Sequence, residues 1–186
     1  TASTDITVNG TLQTSNLAQI VVTSATGLGT SVTVTGTGIK AGTTITGISG
    51  TTVTMNQVAD ISVIGSLANS FSATPKSSGS NLIIAAYNVS VSVGQIVTGP
   101  GISSTASAKV DSVVLDDPTG DVADQSKHIT LSYNVGTNDP GTYYFYNLGS
   151  QSAISYIFKA PDTYKISKPG DGALPFGSFP SAGRIK

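Results

Sequence analysis

The chain contains no cysteine, no tryptophan and no glutamate, and only 10% of its 186 residues are charged. The absence of cysteine excludes a disulfide scaffold, a zinc finger and an iron–sulfur protein. The net charge of −1 argues against a general nucleic-acid-binding protein, which needs a basic surface to displace counterions. The longest apolar run, residues 82–87, is far shorter than the roughly 18 residues of a membrane span. We therefore expect neither nucleic acid nor a membrane as a partner.

Serine and threonine, 26 and 25 residues respectively, make up more than a quarter of the chain. They alternate with valine and isoleucine at residues 31–35, 44–48, 52–55 and 60–64. This period of two is typical of strands that bury one face and expose the other. Glycine and asparagine interrupt the pattern about every 8–12 residues, as in β-sandwiches and barrels. The sequence therefore predicts an all-β protein.

An internal repeat relates residues 20–39 to residues 83–102 without a gap, at an offset of 63. The best-matched part is Val-Thr-Gly-Thr-Gly-Ile at 34–39 against Val-Thr-Gly-Pro-Gly-Ile at 97–102. Glycine supplies the positive φ that such tight turns need. Two copies predict duplicated small β modules, because a solenoid needs about three or more repeats.

The match continues less closely beyond this core. At the same offset, residues 44–49 loosely meet residues 107–112, whereas residues 53–55 match 129–131 at an offset of 76. The second copy therefore carries 13 extra residues, which we place in the polar stretch 115–127.

The whole pattern predicts two small duplicated β-barrel or β-sandwich modules, an aromatic-rich β segment and an extended C-terminal arm. The predicted boundaries are an N-terminal arm at 1–16, a first module at 17–68, a linker at 69–80, a second module at 81–136 with an inserted loop at 115–127, the aromatic β segment at 137–158 and the C-terminal arm at 159–186. The segment 69–80 is assigned as a linker because it is rich in serine, contains Pro75 and lacks a period.

The chain has few residues suited to catalysis. General acid–base work needs a histidine or a carboxyl group with a tuned pKa in a cleft. The only histidine, His128, stands at the start of a predicted strand, and no Gly-x-Ser-x-Gly motif is present. A surface residue at a strand entry is the simpler interpretation of His128, so we expect no enzyme and no cofactor.

Four aspartates lie within nine residues of the inserted loop: Asp116, Asp117, Asp121 and Asp124. Carboxylate oxygens at this density are candidate ligands for Ca²⁺. Their spacing does not follow the EF-hand pattern, and Asp117-Pro118-Thr119-Gly120 fits an ordinary type I turn. The default interpretation is therefore a solvated loop, with metal binding as the weaker alternative.

The last third of the chain differs in composition. Nine of the twelve aromatic residues lie after residue 140, and residues 159–186 carry five basic and two acidic side chains. The run Tyr143-Tyr144-Phe145-Tyr146 must split its rings between two faces of a strand. A sugar-stacking platform is one interpretation, and a core plus an interface is the simpler one. Strands are predicted at 142–147 and 153–158, whereas the proline-bearing arm after them can hardly form a sheet or helix of its own.

Residues 34–55 read VTGTGIKAGTTITGISGTTVTM. This segment resembles a VxGxGIxxGTxIxxIxGTTVTL module that recurs in structural proteins of tailed bacteriophages, including tail fibres and capsid-associated proteins, and in some large bacterial surface proteins. The second copy matches only in part, because its counterpart of the GTTI segment is Thr-Ala-Ser-Ala at 105–108. The resemblance implies a β module and brings no catalytic residues.

Together with the composition, the resemblance predicts a virion structural protein, foremost a capsid decoration or cement protein. Such a protein would bind the major capsid protein or other virion subunits as a homo-oligomer. The alternative is a tail-fibre or cell-surface adhesin module that binds glycans, and a secreted or surface-layer subunit is a third possibility. In the virion hypothesis the arm provides the partner interface, with aromatic anchors and cations for an acidic surface. The residues assigned to it are Tyr164, Lys165, Lys168, Phe176, Phe179 and Arg184.

Overall fold

The computed structural model describes residues 5–103, 105–116, 120–121 and 125–160, and these residues confirm the all-β prediction. They form twelve strands and one helical turn, in the following order: β1 Ile6–Gln13, β2 Asn16–Val22, β3 Thr33–Thr35, β4 Ile45–Ser49, β5 Thr52–Met55, α1 Ile61–Ile64, β6 Ser66–Pro75, β7 Leu82–Ala86, β8 Ile96–Thr98, β9 Ala108–Asp116, β10 Ser126–Leu131, β11 Gly141–Asn147 and β12 Ile154–Lys159.

The strands form two antiparallel six-stranded sheets. One has the order β3-β12-β1-β2-β5-β4, and the other closes into a barrel, β8-β11-β6-β7-β10-β9. The edge strands of the first sheet also meet, through a bridge between Thr33 and Thr44. On either side of this bridge the Val34 amide donates to the Thr43 carbonyl at 2.8 Å, and the Ile45 amide donates to the Val32 carbonyl at 2.9 Å. We call the two sheets the first barrel (β1–β5 and β12) and the second barrel (β6–β11).

The two barrels have the same strand order and the same register. Ile6 pairs with Phe158 in the first barrel, and Asn69 pairs with Phe145 in the second. Leu12 likewise pairs with Ile20, as Pro75 pairs with Ile83. The offset of 63 seen from residue 20 onward therefore already holds from residue 6.

The segments predicted as an N-terminal arm and as a linker instead contribute the first strand of each barrel, β1 and β6. Residues 69–75 lie within β6, at the position that β1 occupies in the first barrel. The serines of this segment alternate with Phe71 and Ala73, and the Phe71 ring stacks on Phe145 with centroids 4.5 Å apart. Pro75 ends the strand, where a missing amide is tolerated. Composition indicated a linker here, but cross-strand packing makes the segment a strand.

The later part of the repeat aligns differently from the prediction. Ile45 pairs with Met55, and its counterpart in the second barrel is Val110, which pairs with Leu131. The offset of β9 is therefore 65 and not 63, because two of the extra residues precede β9. The other eleven lie in the β9–β10 hairpin, whose strands extend to Asp116 and from Ser126, inside the predicted loop. The offset of 76 for the closing strand agrees with the register.

The prediction of a strand at residues 60–64 is wrong. Residues Ile61–Ile64 form one helical turn, α1. Asp60 caps it, since its Oδ1 accepts a hydrogen bond from the Ser62 amide at 3.0 Å. The Gly65 amide closes the turn by donating to the Ile61 carbonyl at 2.8 Å. The cap and the glycine override an alternating pattern that is only five residues long.

The aromatic strands at 142–147 and 153–158 are present as β11 and β12, but they belong to different barrels. β11 completes the second barrel, and β12 returns to the first, where it lies between β1 and β3. The second barrel is therefore inserted between β5 and β12 of the first. The predicted arm begins inside β12, because Lys159 still pairs with Thr33 and its Nζ lies 3.7 Å from Asp5 Oδ2.

In each barrel, the first glycine of the repeated motif packs against a tyrosine ring, in β12 for the first barrel and in β11 for the second. A Cβ atom on Gly36 would lie 2.6 Å from the Tyr156 ring, and one on Gly99 would lie 2.5 Å from the Tyr143 ring. The second glycines of the motif, Gly38 and Gly101, supply the positive φ, at 77° and 72°. One glycine therefore serves ring packing and the other serves the turn.

Replacing Gly36 or Gly99 by alanine tests this packing. Each added Cβ atom overlaps a tyrosine ring, so we expect each variant to lose about 1–3 kcal/mol of unfolding free energy, as is usual for an overpacked core. Denaturant titration measures the loss. Gly29→Ala is the control, because a Cβ atom there meets nothing within 4 Å; equal stability in all three variants would contradict the assignment.

Ser31 and Gly94 occupy the same position in the two barrels and share a left-handed backbone, with φ of 67° and 89°. Each amide donates to the equivalent carbonyl, that of Ile45 or Val110, at 2.8 Å. The left-handed conformation costs a non-glycine residue about 1–2 kcal/mol.

A reciprocal exchange at this position isolates the backbone cost. We expect Ser31→Gly to raise the unfolding free energy by about 1 kcal/mol and Gly94→Ser to lower it by a similar amount. A Cβ atom on Gly94 meets nothing within 4 Å, so no clash contributes. Denaturant titration of both variants checks the prediction, and changes of the same sign in the two variants would refute it.

Candidate functional site

A cleft of about 280 Å³ lies between the two barrels. Its walls are mostly apolar and come from both barrels. The first barrel and its connections contribute Leu17, Lys40, Val58, Ala59, Asp60 and Ile61; the second contributes Ile96, Val97, Thr98, Gly99, Ile102, Ser103 and Ala106.

Strand β8 holds the wall that the second barrel contributes to the cleft. Its successive side chains point into different barrel cores. Ile96 packs in the core of the first barrel, and its neighbour Val97 packs in the core of the second. Close by, Lys109 Nζ donates to the Thr14 carbonyl in the β1–β2 turn at 3.0 Å. The barrels are thus joined by shared apolar packing as well as by the chain.

The two charged side chains of the cleft, Asp60 and Lys40, already have partners. Asp60 Oδ1 accepts hydrogen bonds from the amide and the hydroxyl of Ser62, at 3.0 and 2.6 Å. Lys40 also has a polar partner. What remains is a mostly apolar recess that suits a small hydrophobic group.

The predicted metal ligands are only partly in view. Asp116 ends β9, and its Oδ2 lies 3.3 Å from His128 Nε2 in β10, on a partly exposed face. Asp121 is described and has a polar partner, whereas Asp117 and Asp124 lie outside the described residues. Within the described ranges, no three histidine or acidic side chains come together as a metal site would need. Ca²⁺ binding by this loop stays a prediction.

The Asp116–His128 pair was not predicted from the sequence. His128, predicted at the start of a strand, is the third residue of β10, opposite Val114 of β9. The residues are twelve apart, and only the length of the hairpin brings them together. No local motif in the sequence could have indicated this contact.

The partner residues assigned to the arm, Tyr164, Lys165, Lys168, Phe176, Phe179 and Arg184, lie outside the described residues. Their role stays a prediction. The described chain ends at Ala160, one residue after β12.

The aromatic run divides its rings between two faces, as predicted. Tyr143 and Phe145 are fully buried in the second barrel, and Tyr144 is 42% exposed on its outer surface. Tyr146 is half-buried and packs against the core of the first barrel. The run is therefore mainly core and inter-barrel contact, and Tyr144 alone faces outward.

The two tyrosines that contact the repeat glycines are buried, and burial raises the pKa of Tyr143 and of Tyr156 above the ordinary value of 10.0. The Tyr143 hydroxyl also donates to the Pro100 carbonyl at 3.0 Å. A raised pKa in the folded state means that the folded protein holds these protons more tightly than the unfolded chain.

Alkaline pH should therefore destabilise the fold. The raised pKa of each ring stabilises the fold fully at pH values below 10, the pKa of tyrosine in the unfolded chain. This stabilisation is lost as the pH rises from 10 toward the pKa in the folded state, by up to about 1.4 kcal/mol of unfolding free energy per pH unit for each ring. Above pH 10, we expect the unfolding free energy of Tyr156→Phe to fall less steeply with pH than that of the parent protein. At pH 7 the variant should retain most of the parent's stability. Denaturant titration from pH 7 to 11 measures both, and an unchanged slope would count against the burial effect.

One surface feature, in strand β9, was not predicted from the sequence. Val113, Val114 and Leu115 are consecutive apolar residues in β9, so a period of two cannot bury all three. Val114 and Leu115 are exposed. The break in the alternation was the signal that could have indicated an interaction surface at this strand.

In the part of the chain that the structure describes, no helix is long and apolar enough to cross a membrane. No protein-family model matches the chain, and no curated protein and no solved structure matches it significantly.

Proposed function

We propose that the chain is a bacteriophage virion structural protein, and specifically a capsid decoration protein that binds the shell and stabilises it through contacts between subunits. The observation that carries the proposal is the Val-Thr-Gly-x-Gly-Ile motif at 34–39 and 97–102, together with the GTTI and GTTVT segments that follow its first copy. These segments resemble modules of tailed-phage structural proteins.

The placement of the motif supports a structural role. In each barrel it leaves the short strand beside the aromatic strand and turns at a glycine with positive φ. Its residues are used for packing against Tyr143 and Tyr156 and for the turn. The motif therefore builds the fold, as is expected of a module that recurs in structural proteins.

The connection between the barrels also supports the proposal. The barrels share a core contact at Ile96, and two chain connections join them because the second barrel is inserted between β5 and β12 of the first. A decoration protein that bridges shell subunits must transmit force between its contacts, which two barrels packed against each other do better than two modules on a flexible linker.

In this proposal the arm after Ala160 contacts the neighbouring virion subunit. It supplies rings as anchors and a net positive charge, whereas residues 1–158 carry four lysines and eight aspartates. Aromatic side chains buried at the centre of an interface usually contribute most of its binding energy. The proposed location is the virion, with the major capsid protein or another virion subunit as the partner.

Co-sedimentation with capsids of the encoding phage that lack their decoration protein tests the proposal. We expect the full chain to bind to saturation and a chain ending at Ala160 to lose binding. This truncation removes none of the described strands, because β12 ends at Lys159. Thermal unfolding of the truncated chain is the control for folding.

Two results would overturn parts of this proposal separately. Failure of the folded full chain to bind any capsid form would refute the decoration function. Full occupancy by the truncated chain would refute the role of the arm and leave the barrels as the binding surface.

An adhesin or tail-fibre module is the second candidate, and the exposed ring of Tyr144 is the observation that favours it. Aromatic rings on a sheet surface are suited to stacking on sugars. A glycan array separates the two functions: a decoration protein gives no specific hits, whereas an adhesin gives hits that Tyr144→Ala removes.

A further inference from the structure

Strand β9 has a long free edge. One edge of β9 pairs with β10 from Val110 to Asp116, whereas the other pairs with β8 only at Ala108 and Lys109. Two further bonds hold Val110, whose carbonyl accepts from Gly94 and whose amide donates to the Gln95 carbonyl. From residue 111 to residue 116, no strand among the described residues covers this edge. An uncovered edge presents amide and carbonyl groups that another strand can pair with.

Three large apolar side chains around this edge are exposed. Val93, Val114 and Leu115 are 64%, 58% and 50% exposed. An aspartate stands at each end of the free stretch, Asp111 and Asp116. The edge thus offers a short apolar centre between two negative charges, and it lacks the lysine or proline that commonly protects an edge from pairing.

The chain itself contains a segment that complements this edge. Residues 163–168 read Thr-Tyr-Lys-Ile-Ser-Lys and lie between Pro161 and Pro169. They alternate apolar and polar residues without proline or glycine, which is a strand pattern. Lys165 and Lys168 flank Ile166, so the segment has an apolar centre with positive charge on both sides.

We propose that the free edge of β9 binds the 163–168 segment of a second copy of this chain as an added antiparallel or parallel strand. Backbone hydrogen bonds supply the pairing, and the register is set by Ile166 beside Val114. With this register Lys168 lies opposite Asp116 in a parallel pairing, and opposite Ser112, next to Asp111, in an antiparallel pairing. Copies joined in this way form an oligomer through exchanged tails.

The length of the connection favours a second copy over the same chain. β12 ends at Lys159, beside Asp5 at the start of β1, whereas Lys109 of β9 contacts Thr14 beyond the other end of β1. An eight-residue strand such as β1 covers roughly 25 Å. Seven residue steps from Lys159 to Ile166 cover at most about 25 Å. Ile166 of the same chain would therefore need a fully extended connection to cover this span, which favours the β9 edge of a second copy.

Single cysteines test the pairing directly, because the chain has none of its own. Mixing full-length Val114→Cys with a mass-tagged Ile166→Cys under mild oxidation should give a mixed disulfide dimer. Residues opposite each other in paired strands are about 4.5–5.5 Å apart, which is within disulfide reach. Ala182→Cys in place of Ile166→Cys is the matched control, since it lies in the same arm outside the segment, and it should give little of this product.

Light scattering of the full chain without capsids gives a second readout. We expect the parent protein to exceed the 18.7 kDa of one chain and Ile166→Pro to fall to that mass, since proline removes a strand donor. Ala182→Pro is the control and should keep the oligomer. Circular dichroism confirms that the barrels of each variant are folded.

Three results would overturn the inference: equal cross-linking from positions 166 and 182, a parent protein that is monomeric at high concentration, or a 114–166 disulfide that forms only within one chain of the double variant. None of these experiments uses a capsid. The exchange of tails and the decoration function can therefore fail independently.

Discussion

The pairing of β12 with β1 and β3 is the interaction on which the rest of the structure depends. Residues Ile154–Lys159 are far from both neighbours in sequence, yet they fill the gap between them and carry Tyr156 and Phe158 into the first core. Because the whole second barrel lies between β5 and β12 in the chain, the first barrel is complete only after the second has been synthesised. The two folds are therefore coupled, although each has its own core.

Duplication explains most of the architecture, and the differences between the copies show where each barrel is used. The cores keep equivalent registers, equivalent glycine motifs and an equivalent left-handed residue before the short strand. The second copy departs from the first in the β9–β10 hairpin. This hairpin is longer, brings the side chains of Asp116 and His128 into contact and leaves an edge of β9 exposed. Structural constraint preserves the barrel centres, and the lengthened hairpin is the part available for interaction.

Charge and edge geometry link the two proposals. The barrels carry the negative charge of the chain and the arm carries the positive charge, so contacts between an arm and a neighbouring barrel are favoured over contacts between two barrels. An exposed strand edge is a hazard for a protein of low net charge unless a partner covers it. An arm that covers the edge of a neighbour would remove the hazard and build an assembly in the same contact.

The sequence by itself determined the fold class and most of the strands, because threonine alternates with valine and isoleucine with the period of two that is typical of strands. It also determined the presence of two copies, because the glycine motif recurs at an offset of 63. It also predicted that the 143–146 rings would divide between two faces. Only the tertiary structure decided that residues 69–75 form a strand, since their pairing partner lies about seventy residues away in β11. It likewise decided that residues 61–64 form a helical turn, and that β11 and β12 belong to different barrels. The local sequence pattern indicates which residues can be buried. The choice of partner strand depends on contacts between distant parts of the chain, and a local pattern does not specify these contacts.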